Sequence, residues 1–328
     1  MNIPVANWRR TIRTLLTRGR PEFASTISLL ACSALALGSI ILGAVQRSLI
    51  MQTNGYIALI DIGNSLLFLA AVQRSTRRAD LNFNYGYGKY ESLAVLVSAN
   101  LLIVLTIVTL SEAISFARRP PVDVNSFLLG GWAVISFIVM RYTAGLLERY
   151  ARRFHMPMLR YDAELWRADS LMEIGVLAGI GFSAGLRAID QADIAAVLDI
   201  VASILLLLVA LRVPIKHGSE AYRQLLDRTL PDEAQYEILA IIAQNVNNMC
   251  AFNSVHTRQS GRDIFIEIDL VMPYDYTLGQ LYELEQSILD SLRGKFPTAI
   301  PRVYVTPCDG GCEHDGVSSC PIKVHRMR

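Results

Sequence analysis

Six stretches of this chain are apolar for long enough to cross a bilayer, and nothing else in the sequence constrains the fold as strongly. They run roughly over 25–45, 55–73, 90–116, 126–147, 165–186 and 193–213. A spanning helix needs about 20 such residues, and lipid leaves the backbone no other helical-length way to satisfy its polar groups. The first stretch begins more than twenty residues in, is too long for a signal-peptide core and lacks a small-residue cleavage pattern. Charged residues make up only 18% of the chain, below the ~25% of a soluble domain, and hydrophobic residues make up 52%. A net charge of +2 gives no electrostatic case for nucleic acid.

Lys and Arg near the span ends predict the orientation. The N-terminal tail carries Arg9, Arg10, Arg13, Arg18 and Arg20, and the loops after spans two and four are similarly basic, as is the segment after span six. The opposite side has only Arg47, Arg118, Arg119 and Arg187. Both termini are therefore expected in the cytoplasm, and the even number of spans agrees. Four parts follow: a basic tail over 1–22, a six-helix bundle over 23–214, an α/β domain over 215–307, and a Cys/His tail over 308–328. In the third part, 232–247 has helical spacing, with Tyr236, Leu239, Ile242 and Val246 on one face. Ile264–Met272 alternates as a half-buried strand. Thr277–Phe296 is an amphipathic helix with a Leu278, Leu281, Leu284, Ile288, Leu292 stripe, and Arg302–Val305 is a second strand. The expected order is α–β–α–β. A domain this small often gains stability by oligomerising.

Ionisable groups inside a membrane are costly and read first as functional. Asp61 lies within span two and shares a helix face with Asn64 and Ser65; Asp169 lies within span five and shares a face with Glu173. Two such faces could form an oxygen-rich cation site. The alternative is that these acids pair with Arg141 or Arg167, although both arginines lie near span ends and can snorkel. Glu112 reads as interfacial or structural, and Asp199 is open between the two roles. Cys32 reads as a small packing residue and Cys250 as a core residue of the α/β domain. No hydrolase or oxidoreductase constellation is visible.

Several segments in order resemble the cation diffusion facilitators. They are Asp61–Ser65 in span two, Asn84–Leu93 entering span three, Asp162–Ala163 before Asp169, Leu225–Glu233 after span six, Thr257–Gly261, and Phe296–Pro297. The resemblance implies a membrane transporter that moves a divalent metal ion out of the cytosol by alternating access, usually in exchange for protons. It also implies a homodimer, or a heterodimer with another facilitator, and a metallochaperone-like cytoplasmic domain. The implied location is a bacterial inner membrane or an intracellular membrane derived from it, in contact with lipid.

The family's i, i+4 ligand pairs on spans two and five fall at Ile57, Asp61, Leu165 and Asp169. Two of the four cannot bind metal, so an ordinary tetrahedral zinc site lacks half its ligands. One reading shifts the site to Asp61, Asp169 and Glu173 with Asn64 or Ser65. All its donors are then oxygen, and the substrate is Mn²⁺, Fe²⁺ or Mg²⁺ rather than Zn²⁺, though zinc stays open. A second reading is a subunit that has lost transport and serves a competent partner. The accessory positions implied by the resemblance retain Asp80 in the loop after span two and Asp269 in the α/β domain. Phe83, Tyr87, Asn253, Tyr282 and Tyr304 stand where histidines are common. A third reading is a metal sensor through the tail, where Cys308, Cys312, His314, Cys320 and His325 offer thiolate and imidazole but match no standard zinc spacing.

Overall fold

The computed structural model describes residues 17–45, 49–116, 126–187, 201, 204–273 and 275–309. They form two units, Met1–Tyr222 and Arg223–Arg328.

The first unit is helical. Helices α1 (Pro21–Val45), α2 (Leu49–Ser75), α3 (Lys89–Phe116), α4 (Ser126–Phe154) and α5 (Pro157–Arg187) correspond to the first five expected spans. Residues 204–210 are also helical, and α6 (Arg212–Leu225) follows; most of the sixth expected span lies outside the described residues. Proline opens α1 and α5, where its missing N–H would have had no helical partner. Between α4 and α5, His155 adopts φ 52°, the left-handed conformation that stops one helix, and the Met156 amide closes on the Ala151 carbonyl at 3.1 Å. The helices joined by this tight break pack closely on each other, as do α1 and α2.

Three described helices are long and apolar enough to cross a membrane: Pro21–Val45, Lys89–Ser111 and Phe127–Phe154. Helix α5 is as long but carries Asp162, Glu164, Arg167, Asp169 and Glu173. Large apolar side chains such as Leu37, Val104 and Ile138 point outward, as a lipid-facing surface requires. Inside, Phe68 and Val72 of α2, Leu147 of α4 and Tyr161 of α5 are almost fully buried. The Phe68 and Tyr161 rings meet edge to face at 5.7 Å.

The second unit is a small α/β domain. Helix α7 (Asp232–Ala243) ends in a 3₁₀ turn at Val246–Asn248; then come β1 (Ala251–Ser260), β2 (Asp263–Met272), α8 (Leu278–Lys295) and β3 (Ala299–Pro307). The sheet order is β1-β2-β3, with β1 antiparallel and β3 parallel to β2. Strand β1 adds to the expected α–β–α–β order. Its sequence alternates weakly because it is an edge strand with most residues partly exposed. Gly261, at φ 60°, turns β1 into β2.

The alternation of β2 is as expected on its core face, where Ile266, Ile268, Leu270 and Met272 are buried. On the other face Phe265 is also buried, under the Arg258 guanidinium at 4.5 Å. The inward face of α7 differs from the expectation. Ile238 and Ile242 are buried, whereas Tyr236, Leu239 and Val246 are exposed. The helix carries two overlapping apolar stripes, and the one containing Ala234, Ile238 and Ile241 meets the sheet. In α8 the capping box of Thr277 and Gln280 fixes the start. Leu278, in that exposed first turn, lies outside the core, while Ile288 and Leu292 are fully buried. Cys250 is exposed and is not a core residue.

Candidate functional site

Helical periodicity places the polar residues of four helices around one cavity of about 320 Å³ in the first unit. From α2 come Asp61, Asn64 and Ser65, at i, i+3 and i+4. From α5 come Asp162, Leu165, Trp166, Asp169 and Glu173, which recur on one face over three turns. Helix α1 adds Cys32 and Ser39; α4 adds Trp132 and Ser136. All five residues of the oxygen-rich reading therefore line a single space. They surround it without converging: among the described residues, no three His, Cys, Asp or Glu side chains stand close enough together to hold an ion. Leu165 faces the cavity, so the apolar substitution is felt directly there. The Ile57 side chain lies outside the described set.

The cavity wall is fixed by hydrogen bonds between helices. The Ser28 hydroxyl donates to Asp162 Oδ2 at 3.1 Å and accepts from Trp166 Nε1 at 2.9 Å, with all three residues buried. Trp132 Nε1 donates to Ser39 Oγ at 3.1 Å and so ties α4 to α1. Asn64 is buried, and its Oδ1 has no hydrogen-bond partner among the described residues. No Lys or Arg lines the cavity among the described residues. Arg167 turns away and pairs with Glu148 of α4 at 3.5 Å, which answers the alternative in which it neutralises the acids. Four carboxyl groups thus share a low-dielectric space without a basic side chain, an arrangement that favours a bound cation or protons.

Residues 25–226 match the family model for the cation efflux transmembrane domain, and residues 230–305 match the model for the cation efflux protein cytoplasmic domain. The chain belongs to the cation efflux family. These are the cation diffusion facilitators. Among curated relatives, this cation efflux protein is 26% identical to the cation-efflux pump FieF of Pectobacterium atrosepticum over 88% of this chain and 95% of the relative. It is 30% identical to the protein of that name from Escherichia coli O127:H6 over 76% of this chain and 81% of the relative. The Shigella boydii serotype 18 protein of the same name is 29% identical over the same shares.

The accessory positions of this cation efflux protein have local partners. Asp80 Oδ1 accepts from the Asn82 and Phe83 amides, both at 2.9 Å, and Oδ2 accepts from the Tyr87 hydroxyl at 2.7 Å. These bonds, the Tyr87 hydroxyl first, hold the Asp80 carboxyl below the usual carboxylate range and push the Tyr87 phenol up. Asp80 therefore fastens its own loop. Asp269 lies on β2 opposite Tyr304 of β3, and Asn253 Nδ2 donates to its Oδ2 at 3.5 Å. Two family-like segments meet: Arg258 pairs with Asp227 at 3.4 Å, and the Leu230 amide donates to Thr257 Oγ1 at 3.2 Å. Of the tail residues, Cys308 is buried at the end of β3, its amide bonded to the Met272 carbonyl at 2.8 Å. Cys312, His314 and Cys320 lie outside the described residues.

Asp162 and Cys32 are among the cavity residues that the sequence alone does not place there. Asp162 was visible only as a family-like segment, although i, i+7 spacing from Asp169 is a legible signal. Cys32 carried no signal beyond its place on an apolar helix.

Proposed function

We propose that this protein is a divalent metal cation transporter that moves its ion out of the cytosol through the cavity between α2 and α5. The observation that carries this reading is the lining itself: Asp61, Asp162, Asp169 and Glu173 with Asn64 and Ser65, and no Lys or Arg among the described residues. Carboxyls crowded around one buried cavity need countercharge. Either protons or a divalent cation supplies it, so exchange of one for the other is the natural transport cycle. Oxygen donors favour Mn²⁺ or Fe²⁺, with Zn²⁺ as competitor. The named relatives are cation-efflux pumps, which agrees with export. The family assignment of the second unit agrees with a dimer held through the cytoplasmic domain. A bacterial inner membrane is the matching location.

The test is flux of Mn²⁺, Fe²⁺ and Zn²⁺ into inverted vesicles carrying the purified protein, with a pH-sensitive dye reporting counter-flow. Asp169→Asn is expected to abolish transport of every ion. If Asp169→Ala moves all three as well as the parent, the cavity is not the path. A second reading, a transport-deficient subunit in a heterodimer, is favoured by Leu165 facing the cavity and by the lack of convergent donors. Flux from the homodimer removes it.

A further inference from the structure

The outward face of α4 carries positive charge in the middle of an apolar stripe. Phe127, Val134, Ile138, Arg141, Gly145 and Arg149 recur at helical spacing along that face, and all six are exposed. The opposite face, with Ala144, Leu147 and Ala151, is buried in the bundle. On a helix of spanning length an outward apolar stripe is covered by acyl chains. Tyr142 is 64% exposed beside Arg141, the kind of ring that sits at headgroup level.

With Phe127 at one face of the hydrocarbon, Arg141 lies about 21 Å along a layer about 30 Å thick, and Arg149 reaches the far boundary. A guanidinium on the lipid side is costly unless it meets an anion. Among the described residues Arg141 has no ion-pair partner. Helix α4 holds four arginines and one acid, Glu148, and that acid is engaged by Arg152 at 2.7 Å and by Arg167 at 3.5 Å. Gly145 stands one turn from Arg141 and one turn from Arg149. A Cβ at Gly145 would meet nothing within 4 Å. Arg149 Nε donates to the Gly145 carbonyl at 3.2 Å, which lays this guanidinium back along the glycine. The stripe therefore has a notch floored by backbone, with an arginine a turn to either side.

We infer that this notch binds the phosphate of an anionic phospholipid, held by Arg141 and Arg149, with the acyl chains lying along Ile138 and Val134. The planar guanidinium fork matches a phosphate's oxygens. The apolar stripe that runs straight into the notch fits the rest of a lipid and has no counterpart in a free phosphate. A second copy of the chain fits less well. Two α4 helices paired in parallel would set Arg141 against Arg141 and Arg149 against Arg149, and like charges face to face oppose association. The inference holds whether or not the cavity conducts an ion.

The experiment places full-length protein in phosphatidylcholine nanodiscs with a small fraction of photoreactive lipid, either phosphatidylglycerol or phosphatidylcholine bearing a diazirine near the headgroup. Adducts are mapped by peptide mass spectrometry. Phosphatidylglycerol is expected to label residues 138–149 well above phosphatidylcholine. Unlabelled phosphatidylglycerol should compete, and inorganic phosphate should not. Arg141→Gln and Arg149→Gln should each lower the labelling about fivefold, the contribution of one arginine beside an anionic headgroup. Arg141→Lys, which loses the fork, replaces Arg141→Gln if that variant fails to fold and should lower labelling in the same direction. Gly145→Leu keeps both charges, fills the notch and should also lower it. Arg78→Gln removes an exposed arginine outside α4 and should leave it unchanged. Equal labelling by the two lipids, or equal loss in Arg78→Gln and Arg141→Gln, overturns the inference, because general attraction to the bilayer then suffices. Competition by inorganic phosphate overturns the lipid as occupant. Crosslinks between the α4 helices of two copies, in place of lipid adducts, overturn it in favour of a dimer contact.

Discussion

Replacing Ser28 with Ala removes one hydroxyl and strands two groups. Ser28 Oγ links Trp166 Nε1, at 2.9 Å, to Asp162 Oδ2, at 3.1 Å, and it is the bond by which α1 holds the cavity face of α5. Ser28, Asp162 and Trp166 are 1%, 4% and 7% exposed, so water cannot replace the lost partner without entering the bundle. Each buried group left unsatisfied costs about 1–3 kcal/mol. Two of them give a destabilisation of roughly 2–5 kcal/mol, offset slightly by the smaller polar volume. The assay is reversible unfolding of purified protein in mixed micelles, followed by tryptophan fluorescence. Ser28→Ala, Asp162→Asn and the double variant complete a cycle, and direct partners couple by about 0.5–3 kcal/mol. The reasoning is refuted if Ser28→Ala unfolds within about 0.5 kcal/mol of the parent, which is the range of a neutral surface change. A coupling of zero refutes it as well, because the two side chains would then not be sharing that bond.

A methyl group on Gly38 would overlap the Trp132 indole. Gly38→Val is therefore expected to push α1 from α4, break the Trp132–Ser39 bond and quench transport; unchanged flux and unfolding midpoint would count against this packing. Burial alone lowers the His217 pKa, but its bonds to Glu220 and to Glu164 (2.8 Å) raise it by more. Its contribution to stability is thus fully present below about pH 6.5 and is lost as pH rises through the raised value. Thermal midpoints measured across that window should fall with pH in the parent and stay flatter in His217→Gln; parallel curves refute it. Asp80→Ala should release the Asn82 and Phe83 amides, read as faster hydrogen exchange at both. Unchanged protection there means that the loop is held by other bonds.

Much of the architecture was legible because it follows from local periodicity. The five long helices of the first unit, the start of α8 at Thr277 and the core face of β2 are each set within a few turns or residues. The errors fell where two local answers compete. Helix α7 offers two apolar stripes, and only the position of the sheet selects Ile238 over Tyr236. Strand β1 needs β2 beside it to be a strand at all. The places of Asp61, Asn64, Ser65, Asp169 and Glu173 on the cavity were legible for a stronger reason: polarity inside a long, largely apolar helix breaks the pattern that the rest of the helix follows.

Cys32 and Ser28 show where that reasoning stops. Small polar residues in membrane helices are ordinary packing material, because they let backbones approach and can bond to their own helix. Helix α1 has both kinds. Ser33 and Thr26 donate to carbonyls one turn back, at 2.8 Å each, while Ser28 reaches across to α5 and Cys32 opens on the cavity. In sequence these positions look alike, since an aliphatic helix with a few small polar residues satisfies the bilayer whichever way it is rotated. Rotation is decided by the neighbours: α2 packs on one side of α1, where both line the cavity, and the other side carries the exposed Leu30, Leu37 and Ile41. An acid announces itself by its own solvation cost, whereas a thiol or hydroxyl becomes functional only through what the fold places opposite it. The carboxylates therefore locate the cavity, and the small polar residues around them tie its wall together across helices.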